Sequence, residues 1–226
     1  MTIPLTEITR QVDSSLRSDK SDEYLKLYEK LFAPIATAPL NILEVGVFHG
    51  GALLMFARYF PNARILGVDI NQPPPLFYET LKGWGMTDRA RVAIGSQDDT
   101  AFLTKEIDGW FGGQPLDIVI DDASHMYRRT RATFEHVFYK YLKPGGHYII
   151  EDWGCGYWPR WPDGNPNGRR GLPRLIKELV DLVALEDRTK LFQGRRAMRV
   201  SETQKSPVDH MIVYPSVTVL VKAQTP

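Results

Sequence analysis

A single cysteine, Cys155, stands among 226 residues. An internal disulfide is therefore excluded, which suits a reducing compartment. No stretch approaches the roughly 18 consecutive apolar residues of a membrane span, and the opening MTIPLTEITRQVDSSLRSDK has no apolar signal core. The expectation is a cytoplasmic protein without a membrane partner. Charge of one sign is lacking as well: 28 Lys and Arg against 27 Asp and Glu leave a net +1, whereas a nucleic-acid-binding surface shows a clustered basic excess. The densest basic groups, Arg128, Arg129 and Arg131 and then Arg169 and Arg170, are too short to change that. They read as a solvated helix face or as contacts to an anionic substrate. Internal repeats and low-complexity tracts are missing.

A chain of this length can bury most of the surface its unfolded form exposes and is expected to form one globular unit. It divides into an N-terminal helical segment, 1–38, and a main domain, 39–226. Residues 1–20 are polar with a weak helical pattern. After a Ser21 cap, Tyr24, Leu27, Tyr28, Leu31 and Phe32 recur at helical spacing, and Pro34 and Pro39 end the helix. Its simplest role is to cover one end of a sheet.

From residue 39 onward, short apolar runs alternate with helical patterns, the signature of a parallel α/β sheet. Asn41 to Val47 reads as a strand that enters a turn with Gly46, Gly50 and Gly51, followed by a helix burying Leu53, Leu54, Phe56 and Ala57. Such glycines let the backbone approach a ligand and supply amides at a helix N-terminus, although Phe48 stands where a dinucleotide fingerprint has its second glycine. A purely structural strand-to-helix turn explains the same residues. Arg64 to Ile70 is the second strand, with Asp69 near its end, placed to accept hydrogen bonds from a ribose diol. A helix from about Leu76 to Trp84 and a strand from Arg89 to Ile94 come next. The strand runs into GSQDDT, where Ser96 and Gln97 would reach an adenine ring, or where Asp99 or Thr100 simply caps the following helix.

The stretch from Leu116 to Trp161 organises the rest. Asp117 to Asp121 and His147 to Glu151 read as strands joined by a helix of about 15 residues and a Lys-Pro-Gly-Gly turn, hence as parallel neighbours about 4.8 Å apart. Ligands bind at the C-terminal edge of such sheets. Asp121, Asp122, Glu151 and Asp152 would converge there, and four carboxylates repel unless a cation lies among them or one keeps its proton. Hard oxygen ligands favour Mg²⁺ or a similar divalent ion. Capping or solvation of these acids is the alternative. Beyond them, WGCGYWPRWPDGNPNGRRGLP is a long Gly/Pro/aromatic loop of the kind that forms lids or binding loops. Trp153, Tyr157, Trp158 and Trp161 would stack on the apolar face of a ligand or pack over the sheet end. LPRLIKELVDLVALE is an amphipathic helix with Leu172, Leu175, Ile176, Leu179, Val180 and Val183 inward. KLFQGRRAMRV reads as a strand or irregular segment. HMIVYPSVTVLVKA reads as two antiparallel strands broken at Pro215-Ser216.

EVGVFHGG, GVDIN, GSQDD and DIVIDDASH, in this order and spacing, resemble a class I S-adenosylmethionine-dependent methyltransferase. IDDASHMYRRTRATFEHVFYKYLKPGGHYIIEDWGCGYWP is similar to the metal-dependent sugar O-methyltransferases of the mycinamicin and macrocin type. SDKSDEYLKLYEKLF and DHMIVYPSVTVLVK resemble further segments of that family. The resemblance implies a Rossmann-like seven-stranded sheet, mostly parallel with an antiparallel C-terminal edge and helices on both faces. It implies Glu44 and Gly46 lining the cofactor pocket, Asp69 on the ribose, Gln97 by the adenine and Asp121 near the methionine moiety. Asp122, Glu151 and Asp152 become the metal ligands and His125 the general base. Histidine suits that role, since imidazole changes charge near neutral pH. Asp22-Glu23 stand before Tyr24 where the family often has a histidine. Many relatives of the macrolide group carry a long N-terminal domain, so macrolide substrates and that group's assembly are not expected to carry over.

The expected function is an S-adenosylmethionine- and Mg²⁺-dependent O-methyltransferase acting on a hydroxyl of a sugar or glycosylated small molecule, as a homo-oligomer. A catechol or phenol O-methyltransferase on the same fold and a non-catalytic cofactor-binding accessory protein are the rival readings. His49, His136, His147 and His210 carry structural roles in this reading, although His49 in the glycine turn could touch the cofactor.

Overall fold

The computed structural model describes residues 3–185 and 205–224. KLFQGRRAMRV lies outside the described residues. The chain forms two compact units, Met1–Ala123 and Ser124–Pro226.

The first unit begins with α1 (Leu5–Gln11) and α2 (Asp22–Phe32). The opening segment is more than the polar tract its composition suggests. Leu5, Ile8, Val12 and Leu16 are all buried, because the few apolar residues recur at steps of three and four and form one narrow stripe. Ser21 caps α2, its hydroxyl accepting from the Tyr24 amide. Leu25, Leu27, Tyr28 and Phe32 are buried, while Tyr24 and Leu31 stay half-buried at the margin. Tyr28 stacks on Phe32 and meets Phe56 edge-on, both centroid distances being 5.6 Å. Aromatic pairs of this geometry contribute roughly 0.5–1.5 kcal/mol beyond their area.

Four strands follow: β1 (Asn41–Val45), β2 (Arg64–Asp69), β3 (Ala90–Ile94) and β4 (Leu116–Asp121), interleaved with α3 (Gly51–Tyr59), α4 (Pro75–Gly83) and α5 (Thr100–Phe111). They lie in the order β3-β2-β1-β4 and all pair parallel, with Val45 opposite both Val68 and Asp121. Ile42 to Val45 and Ile118 to Asp121 are buried without alternation, as expected of parallel strands covered on both faces. Asp99 caps α5, accepting from the amides of Ala101 and Phe102 at 3.1 and 2.9 Å.

The second unit holds α6 (Tyr127–Lys140), β5 (Leu142–Glu151), α7 (Gly171–Val183), β6 (Val208–Tyr214) and β7 (Val217–Lys222). Its strands run β5-β7-β6, antiparallel throughout. The Lys-Pro-Gly-Gly stretch is the start of β5 rather than a separate turn. The break between β6 and β7 falls at Pro215-Ser216, with Ser216 at φ +59°. Lys222 Nζ donates to the carbonyls of Phe138 and Tyr139 at 2.8 and 3.2 Å in the last turn of α6, where helix carbonyls lack partners, and to that of Leu142 in β5 at 2.7 Å. On α7, Leu172, Leu175, Ile176 and Leu179 point inward, but Val180 is half exposed; the apolar stripe is narrower than the sequence pattern suggests. Seven strands and seven α-helices are present among the described residues, the α/β, Rossmann-like class expected, with its antiparallel edge at the C-terminal end.

Candidate active site

The chemistry-bearing residues fall at strand ends. In the first unit, β1 leads into a turn where Gly46 takes φ +94°. A Cβ there would lie 2.2 Å from the carbonyl oxygen of Asp122 and 2.7 Å from Cα of Ala123. Only glycine lets these backbones meet. The Gly46 amide donates to Val68 and the Asp122 amide to Val45, at 2.8 and 2.7 Å, so the ends of β1, β2 and β4 are tied into one edge.

Asp69, expected to face a ribose, organises this turn. Its Oδ2 accepts from the amides of Val47 and Phe48, and its Oδ1 from Asn71, all at 2.8 Å. A carboxylate offers about four lone-pair sites. Three backbone donors leave capacity for one hydroxyl of a diol rather than two. Phe48 is held at φ +51° and is 72% exposed, so the residue that breaks the dinucleotide fingerprint occupies a left-handed position that favours glycine.

Beneath the edge, Glu44, Gln97 and Asp121 are buried. Gln97 Nε2 donates to Asp121 Oδ1 at 3.2 Å. The amide expected beside an adenine is thus bonded to the carboxylate expected beside the methionine moiety. Ser96 is half-buried and donates to Asp98. Asp122, one residue past β4, has a partner that nothing in the local sequence pattern singles out. Lys20 Nζ stands 2.8 Å from its Oδ2.

In the second unit, His125 and Asp152 come together, each offering a ligand atom within 4.8 Å of the other's. Both are half-buried and both sit at left-handed backbone positions, φ +50° and +52°. Two non-glycine residues at such angles, each about 1–2 kcal/mol dearer than right-handed backbone, mark a site whose surroundings impose the conformation. Glu151, the last residue of β5, is 1% exposed and is not part of that group of ligand atoms. Trp161 Nε1 donates to the His125 carbonyl at 3.2 Å. Asp163 Oδ2 accepts from the Tyr127 amide at 2.8 Å. The aromatic loop therefore touches the histidine through its backbone, a relation the sequence reading missed. Trp158, by contrast, is 59% exposed. Cys155 is buried and forms no disulfide.

Two ligands of one Mg²⁺, each at about 2.0–2.1 Å, lie at most about 4.2 Å apart. The His125–Asp152 separation is compatible with this after a small side-chain adjustment. Carboxylate oxygen is the donor such an ion takes, and imidazole widens the choice toward Mn²⁺ or Co²⁺. The residues present fit a divalent cation. The turn at Gly46, with Asp69 holding its amides, fits a ligand carrying a ribose.

Residues 43–153 match a family described as "Methyltransferase domain". The chain is 32% identical over 163 residues to demethylmacrocin O-methyltransferase of Streptomyces fradiae, an alignment covering 68% of this chain and 38% of that protein. It is 33% identical over 165 residues to mycinamicin VI 2''-O-methyltransferase of Micromonospora griseorubida, covering 69% of this chain and 38% of that one. A solved structure of the MycE methyltransferase from the mycinamycin biosynthetic pathway, in complex with Mg, SAH and mycinamycin VI, superimposes with a TM-score of 0.76 at 25% identity. The match covers 98% of this chain and 54% of that one. The chain spans about two fifths of the length of the curated relatives it matches.

Proposed function

We propose, from the premise that this chain carries a methyltransferase domain of the family its residues 43–153 match, that it transfers a methyl group from S-adenosylmethionine to a sugar hydroxyl with the aid of a divalent cation. The acceptor is a sugar or a glycosylated small molecule. The juxtaposition of His125 and Asp152 carries this reading. In this reading the imidazole serves as the base and the carboxylate takes the cation, the two functions an unactivated alcohol requires. The relatives named demethylmacrocin O-methyltransferase and mycinamicin VI 2''-O-methyltransferase and the neighbour in complex with Mg and SAH support it.

In this reading residues 39–226 are the catalytic domain. Asp122, Glu151 and Asp152 hold the cation. His125 is kept for the proton and is not counted among the ligands of the cation. Glu44, Gly46, Asp69, Ser96, Gln97 and Asp121 form the cofactor pocket: Asp69 offers its remaining acceptor site to a ribose hydroxyl, and Gly46 leaves the backbone open. When bound, S-adenosylmethionine would supply the methyl carbon, and the cation, Mg²⁺ in the first instance, would lower the pKa of the acceptor hydroxyl. His125 takes the proton from that hydroxyl as the oxygen attacks, and Asp152 keeps the imidazole in place. Trp158, exposed on the loop, offers an aromatic face to the sugar.

No helix among the described residues is long and apolar enough to cross a membrane. We place the protein in the cytoplasm, where a single cysteine in no disulfide fits, acting as a homo-oligomer on a small molecule and not on nucleic acid. Incubation with methyl-labelled S-adenosylmethionine and Mg²⁺ against a panel of deoxysugar glycosides, polysaccharide precursors and a simple catechol tests the function. Label is expected on a glycoside, lost with chelator and restored by Mg²⁺. Transfer only to the catechol would reassign the acceptor, transfer indifferent to chelator would remove the cation, and cofactor binding without any transfer would favour an accessory role.

A further inference from the structure

The segment from Trp158 to Gly168 is wound tightly. Trp161 and Gly164 donate backwards to the carbonyls of Trp158 and Trp161, and Gly168 donates to Asn165, at 3.0, 2.9 and 2.8 Å. The Asn165 amide reaches Gly156 at 2.7 Å, and Lys177 of α7 donates to the Gly168 carbonyl at 2.8 Å. A Cβ on Gly164 would lie 1.9 Å from the Trp158 carbonyl oxygen. A segment this closed and this anchored is built to hold something still.

What it holds is the approach to α6. Met126 is the N-cap residue of that helix and makes no side-chain cap of its own. Its place is taken from 36 residues away by Asp163, whose carboxylate accepts the Tyr127 amide. An acidic group is the side chain that the open amides and the dipole of a helix start prefer. Two residues earlier, His125 adopts φ +50°. Its carbonyl is the acceptor of the Trp161 indole N–H, and the two rings lie 5.8 Å apart at 44°. A histidine held in left-handed backbone needs over-determination from its surroundings. These two hydrogen bonds, one on each side of Met126, supply it.

We propose that Trp161 and Asp163 are positioning residues: together they clamp the 124–127 turn so that the His125 imidazole faces Asp152. The inference deepens the functional reading above and rests on it for the cation. It assigns Trp161 an indole N–H used inside the protein, not a sugar-stacking face.

The test uses the full chain labelled with ¹⁵N-histidine, Co²⁺ as the probe, and Trp161→Phe and Asp163→Ala as variants. Trp161→Phe keeps a ring and removes the donor. Asp163→Ala removes the acceptor of the Tyr127 amide. Of the five histidines, the resonance lost in His125→Ala identifies the reporter. Wild type is expected to show a large Co²⁺-induced shift of the His125 imidazole, and both variants to lose half of it or more at an unchanged melting temperature. Amide exchange over residues 124–130 in metal-free protein is expected to quicken in both. Faster exchange with the Co²⁺ shift retained would reduce the contacts to a structural latch and overturn the inference. If wild type shows no Co²⁺ shift, the cation reading of the site fails instead, and the clamp is judged by the His125 imidazole resonance of the metal-free protein: an unchanged chemical shift in both variants overturns it, and a moved one sustains it.

Discussion

Lys20 closes an ion pair on Asp122 at 2.8 Å with its own side chain 2% exposed and the aspartate's 21%. A lysine so enclosed is held by its partner, because a buried ammonium without one is costly. The pair joins the segment before α2 to the end of β4, 102 residues along the chain.

Lys20→Met removes one balancing positive charge from the Asp122 carboxylate. Metal-free protein is expected to lose about 2 kcal/mol of stability, below the roughly 3–5 kcal/mol of a fully buried pair because Asp122 is partly hydrated. Mn²⁺ should then raise the melting temperature of the variant more than that of wild type. Equal increments in calorimetric scans would show that Asp122 does not meet the ion.

For His125, the informative change is to asparagine, which tolerates the left-handed backbone but cannot act as a base near neutral pH. On the glycoside found in the panel, His125→Asn is expected to lower kcat by on the order of 10²- to 10⁴-fold with the melting temperature kept. Near-normal turnover would take the proton from His125 and give it to another group.

Gly46→Ala sets a methyl against the backbone of Asp122 and Ala123. It should cost at least about 2 kcal/mol of stability and weaken S-adenosylmethionine binding measured by calorimetry. Gly85 makes the control: its φ is +67° but a Cβ there meets nothing within 4 Å. Gly85→Ala pays only left-handed strain, about 1 kcal/mol, and should bind cofactor normally. Similar losses in both variants would mean that strain, not the close approach to Asp122, decides the effect at Gly46.

The His147 imidazole is pushed below its ordinary pKa by burial, and further by His210 and Lys143. Its folded-state pKa is thus lower than its unfolded one. As pH falls through the ordinary histidine range near 6.5, the unfolded chain takes up a proton that the folded one refuses, and stability declines. Above that range the group contributes no slope. Urea midpoints measured between pH 5 and 8 should fall toward acid in wild type and fall less in His147→Gln. Identical slopes would show that other groups carry the acid sensitivity.

Elements whose signal is local were legible from residues alone. The strands at Asn41, Arg64 and Leu116 announce themselves as unbroken apolar runs and the β6–β7 break by Pro215-Ser216, while the cap of α5 was narrowed to Asp99 or Thr100 and falls to Asp99. The buried stripe of Leu5, Ile8, Val12 and Leu16 was not, because its apolar residues are sparse and the surrounding polar ones set the average. Val180 was assigned inward since helical spacing cannot tell how wide a face its neighbours will cover.

By itself, the sequence determined the alternation of strands and helices, the acids at the strand ends and the glycine turn, since backbone propensity and side-chain spacing act within a few residues. Only the tertiary structure decided what those acids do: Asp69 gathers turn amides, Asp121 takes the Gln97 amide, Asp122 takes Lys20, and Trp161 reaches back to His125. Each contact joins residues from about 20 to about 100 positions apart. A hydrogen bond needs its atoms within about 3 Å, and which distant segments meet that condition is set by packing, which no local pattern records.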